Sequence, residues 1–372
     1  MTADTDSIQR AIALHTSGRW MEAERIYRQF LQKNPKDAAI LNLLGIVCSQ
    51  QGRHEEAVQL IERAISLRPG TGELHSNLAR VYAEKGEPEK AMASANNALS
   101  LQADDIVALN VGGNVLRKLE RLPEALQWLQ RSLSIRQDQP QTLEALIDIY
   151  RRLARLPEAD ACGQRLLELQ PASIPGLTVR GESLLTQRRF AEATPIFEGL
   201  VQADPQSWVG YNGLAVALFR LGRAADAVPL FEKSIQLAKD DPCPLQNAGH
   251  ACMSEGLLEH AIDYFHRALA LRPDVAEIHN NLGVAYAAQL DLKRAMDSFN
   301  RALFFQPDNH NAHWSDPCCC SCRGILPMVF TNSNGAGSCT RTSGATFASR
   351  LGMATTLPEK RSCCMANRVS AM

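Results

Sequence analysis

One small residue returns every 34 positions through most of this chain. Alanine stands at Ala23, Ala57, Ala91, Ala125, Ala159, Ala193, Ala227, Ala261 and Ala295 without exception. A second phase carries proline at Pro35, Pro69, Pro171, Pro205, Pro273 and Pro307, with Ala103, Gln137 and Lys239 at the remaining places. A period of this length marks one supersecondary unit that cannot bury its apolar face alone and must stack on its neighbours. The chain is therefore constrained to a repeat array, not a globule built around one centre.

Each unit reads as two helices. In the stretch 276–307, His279, Leu282, Gly283 and Tyr286 fall at i, i+3, i+4 and i+7 on one helix face, and Ala295, Phe299 and Ala302 line a second. Gly18, Gly52, Gly86, Gly222 and Gly256 stand where the first helix ends, a place where a left-handed cap favours glycine. Proline closes the second helix because it cannot continue the hydrogen-bond ladder. Gly45, Ala79, Gly113, Gly181, Ala215, Gly249 and Gly283 let the paired helices approach closely, and the in-phase alanine reads as packing.

This pattern resembles the tetratricopeptide repeat family, and the resemblance implies an all-α, right-handed superhelical solenoid of antiparallel helix pairs. It covers 4–309 as nine units, near 4–37, 38–71, 72–105, 106–139, 140–173, 174–207, 208–241, 242–275 and 276–309. The resemblance implies a non-catalytic scaffold for protein–protein interaction. In such arrays the first helix of each unit lines a concave groove, chiefly through its places 2, 5, 9, 12 and 13.

Place 5 carries Asn42, Asn110, Asn212 and Asn280, and place 6 carries Asn77, Asn247 and Asn281. A carboxamide both donates and accepts, so a file of them suits the backbone of an extended peptide. The file resembles the asparagine ladder of O-linked N-acetylglucosamine transferases; the bland alternative is that asparagine keeps the groove wet. Asn114 and His250 occupy place 9, the histidine reading as a solvated groove residue. Arg117, Lys118, Arg151, Arg152 and Arg220 form a basic strip suited to an acidic segment, with Glu144 and Asp148 placed to offset it. The pattern is not the carboxylate clamp of chaperone-binding members, because Asn110 stands where that clamp needs lysine. Gly163 replaces the aromatic that usually fills the inter-helix space, and Arg180 replaces leucine, so a soft joint is expected over 160–185.

The excluded classes follow from composition and motif. The 372 residues carry a formal net charge of −1, without the basic domain that nucleic-acid binding favours. No run approaches the ~18 apolar residues that span a bilayer. The acidic start MTADTDSIQR lacks the signal-peptide regions, so a cytoplasmic address is expected. No phosphate-binding P-loop, GxGxxG or GxSxG is present, and Val58 stands where His54-Glu55-Glu56 would need a second histidine to bind zinc. Neither a cofactor nor a metal is expected, and Cys48, Cys162, Cys243 and Cys252 read as small core or surface residues.

A tenth unit begins at 310–314 and then the period collapses. Three readings compete for 315–372: a disordered tail rich in Ser, Thr, Gly and Ala over 331–356, a metal-binding tail around Cys319 and Cys322, and translation out of frame. The genetic code favours the third. Adjacent cysteine codons read one base earlier encode leucine, so Cys318-Cys319-Cys320 conceals Leu-Leu, and one consistent reconstruction continues as GDF…NGF…FEWR. That reconstruction resembles the stretch joining repeat arrays to glycosyltransferase-like domains in bacterial proteins, which implies an alternative role as the substrate-recruiting arm of such an enzyme. The array would then end on Phe299, Leu303, Phe304 and Phe305, an apolar surface expected to promote self-association.

Overall fold

The computed structural model describes the backbone of residues 2–307 and the side chains of 6–307. The expectations for 310–314 and for the tail 315–372, with its cysteines and reading frame, lie outside the described residues. Within them the chain is all-α and forms two compact units, divided between Val179 and Arg180.

The first unit contains α1 (Thr2–Thr16), α2 (Trp20–Lys33), α3 (Ala38–Gln50), α4 (His54–Leu67), α5 (Gly72–Lys85), α6 (Pro88–Leu101), α7 (Ile106–Lys118), α8 (Leu122–Ile135), α9 (Pro140–Arg152) and α10 (Leu156–Leu169). The division falls inside α11 (Ile174–Thr186). The second unit continues with α12 (Phe190–Ala203), α13 (Trp208–Arg220), α14 (Ala224–Leu237), α15 (Cys243–Ser254), α16 (Leu258–Leu271), α17 (Ala276–Ala288) and α18 (Leu292–Phe305). Odd-numbered helices pair with the even-numbered helix that follows, as in α5 with α6 and α17 with α18. The second helices α2, α4, α6, α8, α12, α14 and α16 also pack on the first helix that follows, and first helices touch one another in the series α3, α5, α7, α9 and again in α13, α15, α17.

The alanine phase is the hinge of this packing, since all nine of those alanines are completely buried. Beside them a second pairing matches large to small. A Cβ added to Gly45 would lie 2.6 Å from Ile61, one on Gly181 2.6 Å from the Phe197 ring, and one on Gly283 2.5 Å from the Phe299 ring. Each glycine is thus a notch cut for the large side chain of its partner helix. Phe299 is accordingly buried at 2% exposure, which corrects its expected place on an apolar end surface; Phe304 at 79% and Phe305 at 42% do stand exposed.

The fifth hairpin, α9 with α10, reverses this size order. Ile147 occupies the place of the notch and is buried, while Gly163 occupies the place of the large residue. No void follows, because α11 moves in. A Cβ on Gly163 would meet Val179 Cγ1 at 2.3 Å, and one on Gly176 would meet the Gly163 carbonyl at 3.3 Å. The aromatic missing from the sequence is replaced by close backbone approach at Gly163, while the division between the two units falls at Arg180, inside the span 160–185 where a soft joint is expected.

The turn inside every hairpin is left-handed. Gly18, Gly52, Gly86, Gly222 and Gly256 have φ between 75° and 82°. Glu120, Ala154, Arg188 and Leu290 adopt φ of 55–65° at the corresponding places although they carry a Cβ. That conformation costs an L-residue roughly 1–2 kcal/mol, so the packing of the flanking helices enforces it. Likewise α6, α8 and α14 stop where their proline-bearing counterparts do, at Leu101, Ile135 and Leu237.

Candidate partner-binding wall

In each unit the neighbouring first helices present a wall, and the asparagines are its seam. Asn77 Nδ2 donates to Asn42 Oδ1 at 3.2 Å, and Asn247 Nδ2 donates to Asn212 Oδ1 at 3.1 Å. Both pairs join residues 35 apart, place 5 of one hairpin to place 6 of the next. The sequence file is split between two adjacent places because this step is what brings the carboxamides face to face.

Burial follows from the same geometry. Asn42, Asn77, Asn212, Asn280 and Asn281 are all 4–9% exposed. The picture of an open file of donors and acceptors is corrected here. These carboxamides lie beneath the surface, where an unpartnered amide would cost roughly 1–3 kcal/mol, and most bond to each other or to a neighbouring side chain. Asn110 belongs to a related cluster, donating to Gln139 Oε1 at 2.7 Å and accepting from Thr142 at 3.2 Å. Asn280 Oδ1 is buried with no hydrogen-bond partner among the described residues.

His250 is not the solvated residue its place suggested. Its Nε2 accepts from Asn281 Nδ2 at 3.0 Å, which puts the ring proton on Nδ1, and it meets Phe265 edge-on at 5.7 Å. Burial pushes its pKa below the ordinary imidazole value; Glu277 opposes that shift and Arg220 adds to it. Cys243 sits against the same seam, its Sγ 3.6 Å from Asn247 Nδ2. Burial lifts the Cys243 thiol to about 11 and the Cys252 thiol to about 12, which keeps both protonated and poorly nucleophilic.

The basic strip is largely neutralised where it lies. Arg117 pairs with Asp148 at 2.8 Å, and Arg152 pairs with Glu120 and, at 3.8 Å, with Asp148. Arg151 and Arg220 are exposed at the ends of α9 and α13. Asn114 Nδ2 donates to the Asn110 carbonyl at 2.9 Å.

What sequence reasoning missed is a cleft in the first unit's wall. Arg80, Ala83 and Glu84 of α5, with Asn110, Val111, Asn114, Val115 and Lys118 of α7, enclose about 230 Å³. A spacing rule pairing the last turn of one first helix with the middle of the next would have found it. A broader depression of about 730 Å³ lies in the second unit around Leu258 and the turn 289–294. Four of its polar groups are already engaged, Gln289 with Glu259 at 3.0 Å and Arg294 with Asp291 at 2.6 Å, so it is the weaker candidate. Among the described residues no group of three His, Cys, Asp or Glu is placed to share a metal ion, and no helix is long and apolar enough to cross a membrane.

Comparison with known proteins agrees with the helix-pair architecture. Tetratricopeptide repeat families match residues 8–72, 49–111, 106–138, 178–242 and 249–289, together well over half of the chain. The chain belongs to the tetratricopeptide repeat family. No curated protein matches it at a significant level. Among solved structures it is similar to MamA, at 19% identity over 43% of this chain and 94% of the other with a TM-score of 0.38. It is similar to YrrB, described as a repeat protein with an unusual peptide-binding site, at 19% identity over 60% and 97% with a TM-score of 0.35. A repeat protein from Parabacteroides merdae matches at 20% identity over 77% and 99% with a TM-score of 0.36.

Proposed function

We propose that this protein is a non-catalytic interaction scaffold and that its first-helix walls receive an extended segment of a partner protein. The observation that carries the reading is the α5/α7 cleft, which combines an apolar floor with hydrogen-bonding groups that still have open valences. Grooves of this mixed character suit an extended peptide, whose backbone takes polar contacts while alternate side chains enter pockets. The second helices offer a contrasting surface. At their N-terminal ends many charges close on themselves one turn apart, the cap residue Arg121 with Glu124 at 2.7 Å and the cap residue Arg223 with Asp226 at 2.8 Å.

In this reading the twelve groove positions divide by depth. Asn114, Arg151 and Arg220 meet the partner directly. Asn42, Asn77, Asn212, Asn247, Asn280, Asn281 and His250 hold the wall flat beneath it, while Asn110 and Arg117 brace its middle. A photo-cross-linking residue at Asn114 on α7, or at Val216, the half-buried residue at place 9 of α13, should capture peptides selected from a random library, whereas one at Arg131 or Arg267 on the second helices should not. Capture confined to the second helices, or no peptide enriched at all, overturns the proposal.

A further inference from the structure

We infer that the α5/α7 cleft is a specificity pocket for one glutamate side chain of the bound peptide. The inference rests on the reading of the wall as a peptide-binding face. Size comes first. The cleft encloses about 230 Å³, below the roughly 300–1,000 Å³ of sites that take whole small molecules, and therefore suits one side chain of a longer ligand.

Charge selects the class of side chain. Lys118 is exposed on the rim and has no ion-pair partner among the described residues. Arg80 uses one guanidinium nitrogen on Asn77 Oδ1 at 3.0 Å, which leaves further donors for a ligand. Glu84 is the rim's one acid, and Ser49 on α3 holds its carboxylate at 2.5 Å. Arg117, the next cation along α7, is taken by Asp148 at 2.8 Å. The rim thus carries two cations against one carboxylate, since the Ser49 hydroxyl is neutral and leaves the Glu84 charge in place; the balance is a single positive charge that favours an acidic side chain over a lysine or arginine.

The floor chooses between the two acidic residues. Ala83, Val111 and Val115 are apolar, with Val115 only 4% exposed, and line the same cleft as Lys118 and Arg80. Glutamate lays two methylenes on that apolar surface where aspartate lays one, so the floor favours glutamate. Asn114 donates its Nδ2 to the Asn110 carbonyl, leaving Oδ1 to accept a peptide N–H beside the pocket. Recognition therefore uses an arginine at place 9 and a lysine at place 13 of successive first helices, pointing to an internal glutamate of the partner.

The test is a random-peptide display selection on the full chain, followed by anisotropy titration of the consensus peptide and its Glu→Gln and Glu→Asp forms. One glutamate column is expected. The Glu→Gln peptide should bind roughly tenfold more weakly, the usual size of a charge-assisted hydrogen bond. Lys118→Glu should abolish the column and, on reselection, replace it with lysine or arginine; Arg80→Ala should weaken it; Arg267→Ala on α16 should leave it intact. Peptides that bind with no acidic preference, or with one that survives Lys118→Glu, overturn the pocket while leaving the wall proposal standing. A selection that enriches nothing over blank resin overturns both.

Discussion

The two units share one seam and differ in the layer above it. In each, a pair of asparagines 35 residues apart joins neighbouring first helices, Asn42 with Asn77 and Asn212 with Asn247. Over that seam the first unit carries charge: Arg80, Glu84, Lys118, and the Arg117–Asp148 and Arg152–Glu120 pairs. The second is mostly apolar at the same places, with Val216, Phe219, Met253 and Val284 half-buried and His250 bonded to Asn281. The buried layer repeats because every hairpin must close on the next in the same way. The exposed layer is free to vary, and specificity belongs there.

The comparison is sharpest in the core. Phe197 fills notches at both Gly181 and Gly213, within 2.6 Å and 2.3 Å of where their Cβ atoms would be. Phe197→Ala should destabilise the second unit by about 3–5 kcal/mol, the range for emptying a buried aromatic site. The converse change in the first unit, Gly163→Phe, collides with Val179 and Gly176 and should also destabilise, by about 1–3 kcal/mol. Hydrogen exchange resolved by unit checks both, and a tolerated Gly163→Phe would show that α10 and α11 are not in close contact. Because Val179 and Gly176 fill the space at Gly163, amides over 160–179 should be protected as well as those of the neighbouring hairpins; rapid exchange there would support the soft joint read from the sequence.

The seam gives the next effect. Asn247→Ala leaves Asn212 Oδ1 without its donor and should cost about 1–3 kcal/mol, as should Asn77→Ala for Asn42. A double-mutant cycle on each pair measures the bond directly. Coupling in one unit but not the other would break the claim that the seam is common to both.

Acid should separate the units, with a smaller effect. Burial lowers the His250 pKa, so the unfolded chain binds that proton more readily than the folded one. The stabilisation is complete above the ordinary imidazole pKa and is lost as pH falls below it towards the depressed folded value. In the first unit Arg28 and Arg53 close a square of ion pairs with Glu24 and Glu56 at 2.5–2.8 Å. Burial pushes Glu24 up, but bonds from Arg53, Arg28 and Gln51 outweigh it, and a bond from Arg28 leads in lowering Glu56. Those depressed carboxylates contribute above their ordinary range and fail only as pH falls through their lower folded values. On mild acidification the second unit should therefore weaken first, and His250→Asn should flatten that slope. Denaturant melts followed at both units between neutral and mildly acidic pH decide it; identical slopes with and without His250 would refute the assignment.

The smallest effect concerns the turns. Leu290 is 72% exposed and left-handed at φ 65°, so Leu290→Gly should stabilise by up to about 1 kcal/mol. Ala154→Gly should do the same in the first unit, and Gly52→Ala should reverse the sign. Thermal melting checks all three.

Much of the fold was legible in the residues alone. A period of 34, the unbroken alanine phase, five turn glycines and six prolines specify helix pairs, because each reports a local rule of backbone geometry or close packing. The candidate wall was legible only as a set of places. Its asparagines were visible as a file, but the bonds that turn them inward join different hairpins and depend on how closely α3 and α5, or α13 and α15, approach.

What the chain determines by composition and spacing is the repeat, since alanine, glycine and proline act through the few residues around them. What tertiary structure alone decided is how the exceptions resolve. Four turns without glycine become left-handed, three second helices without proline end on schedule, and Gly163 is filled by Val179. It also decided that Arg117 faces Asp148 while Lys118 is left open beside Arg80. Those outcomes depend on distances between helices, and a linear pattern does not carry distances between residues that meet only after the hairpins have stacked.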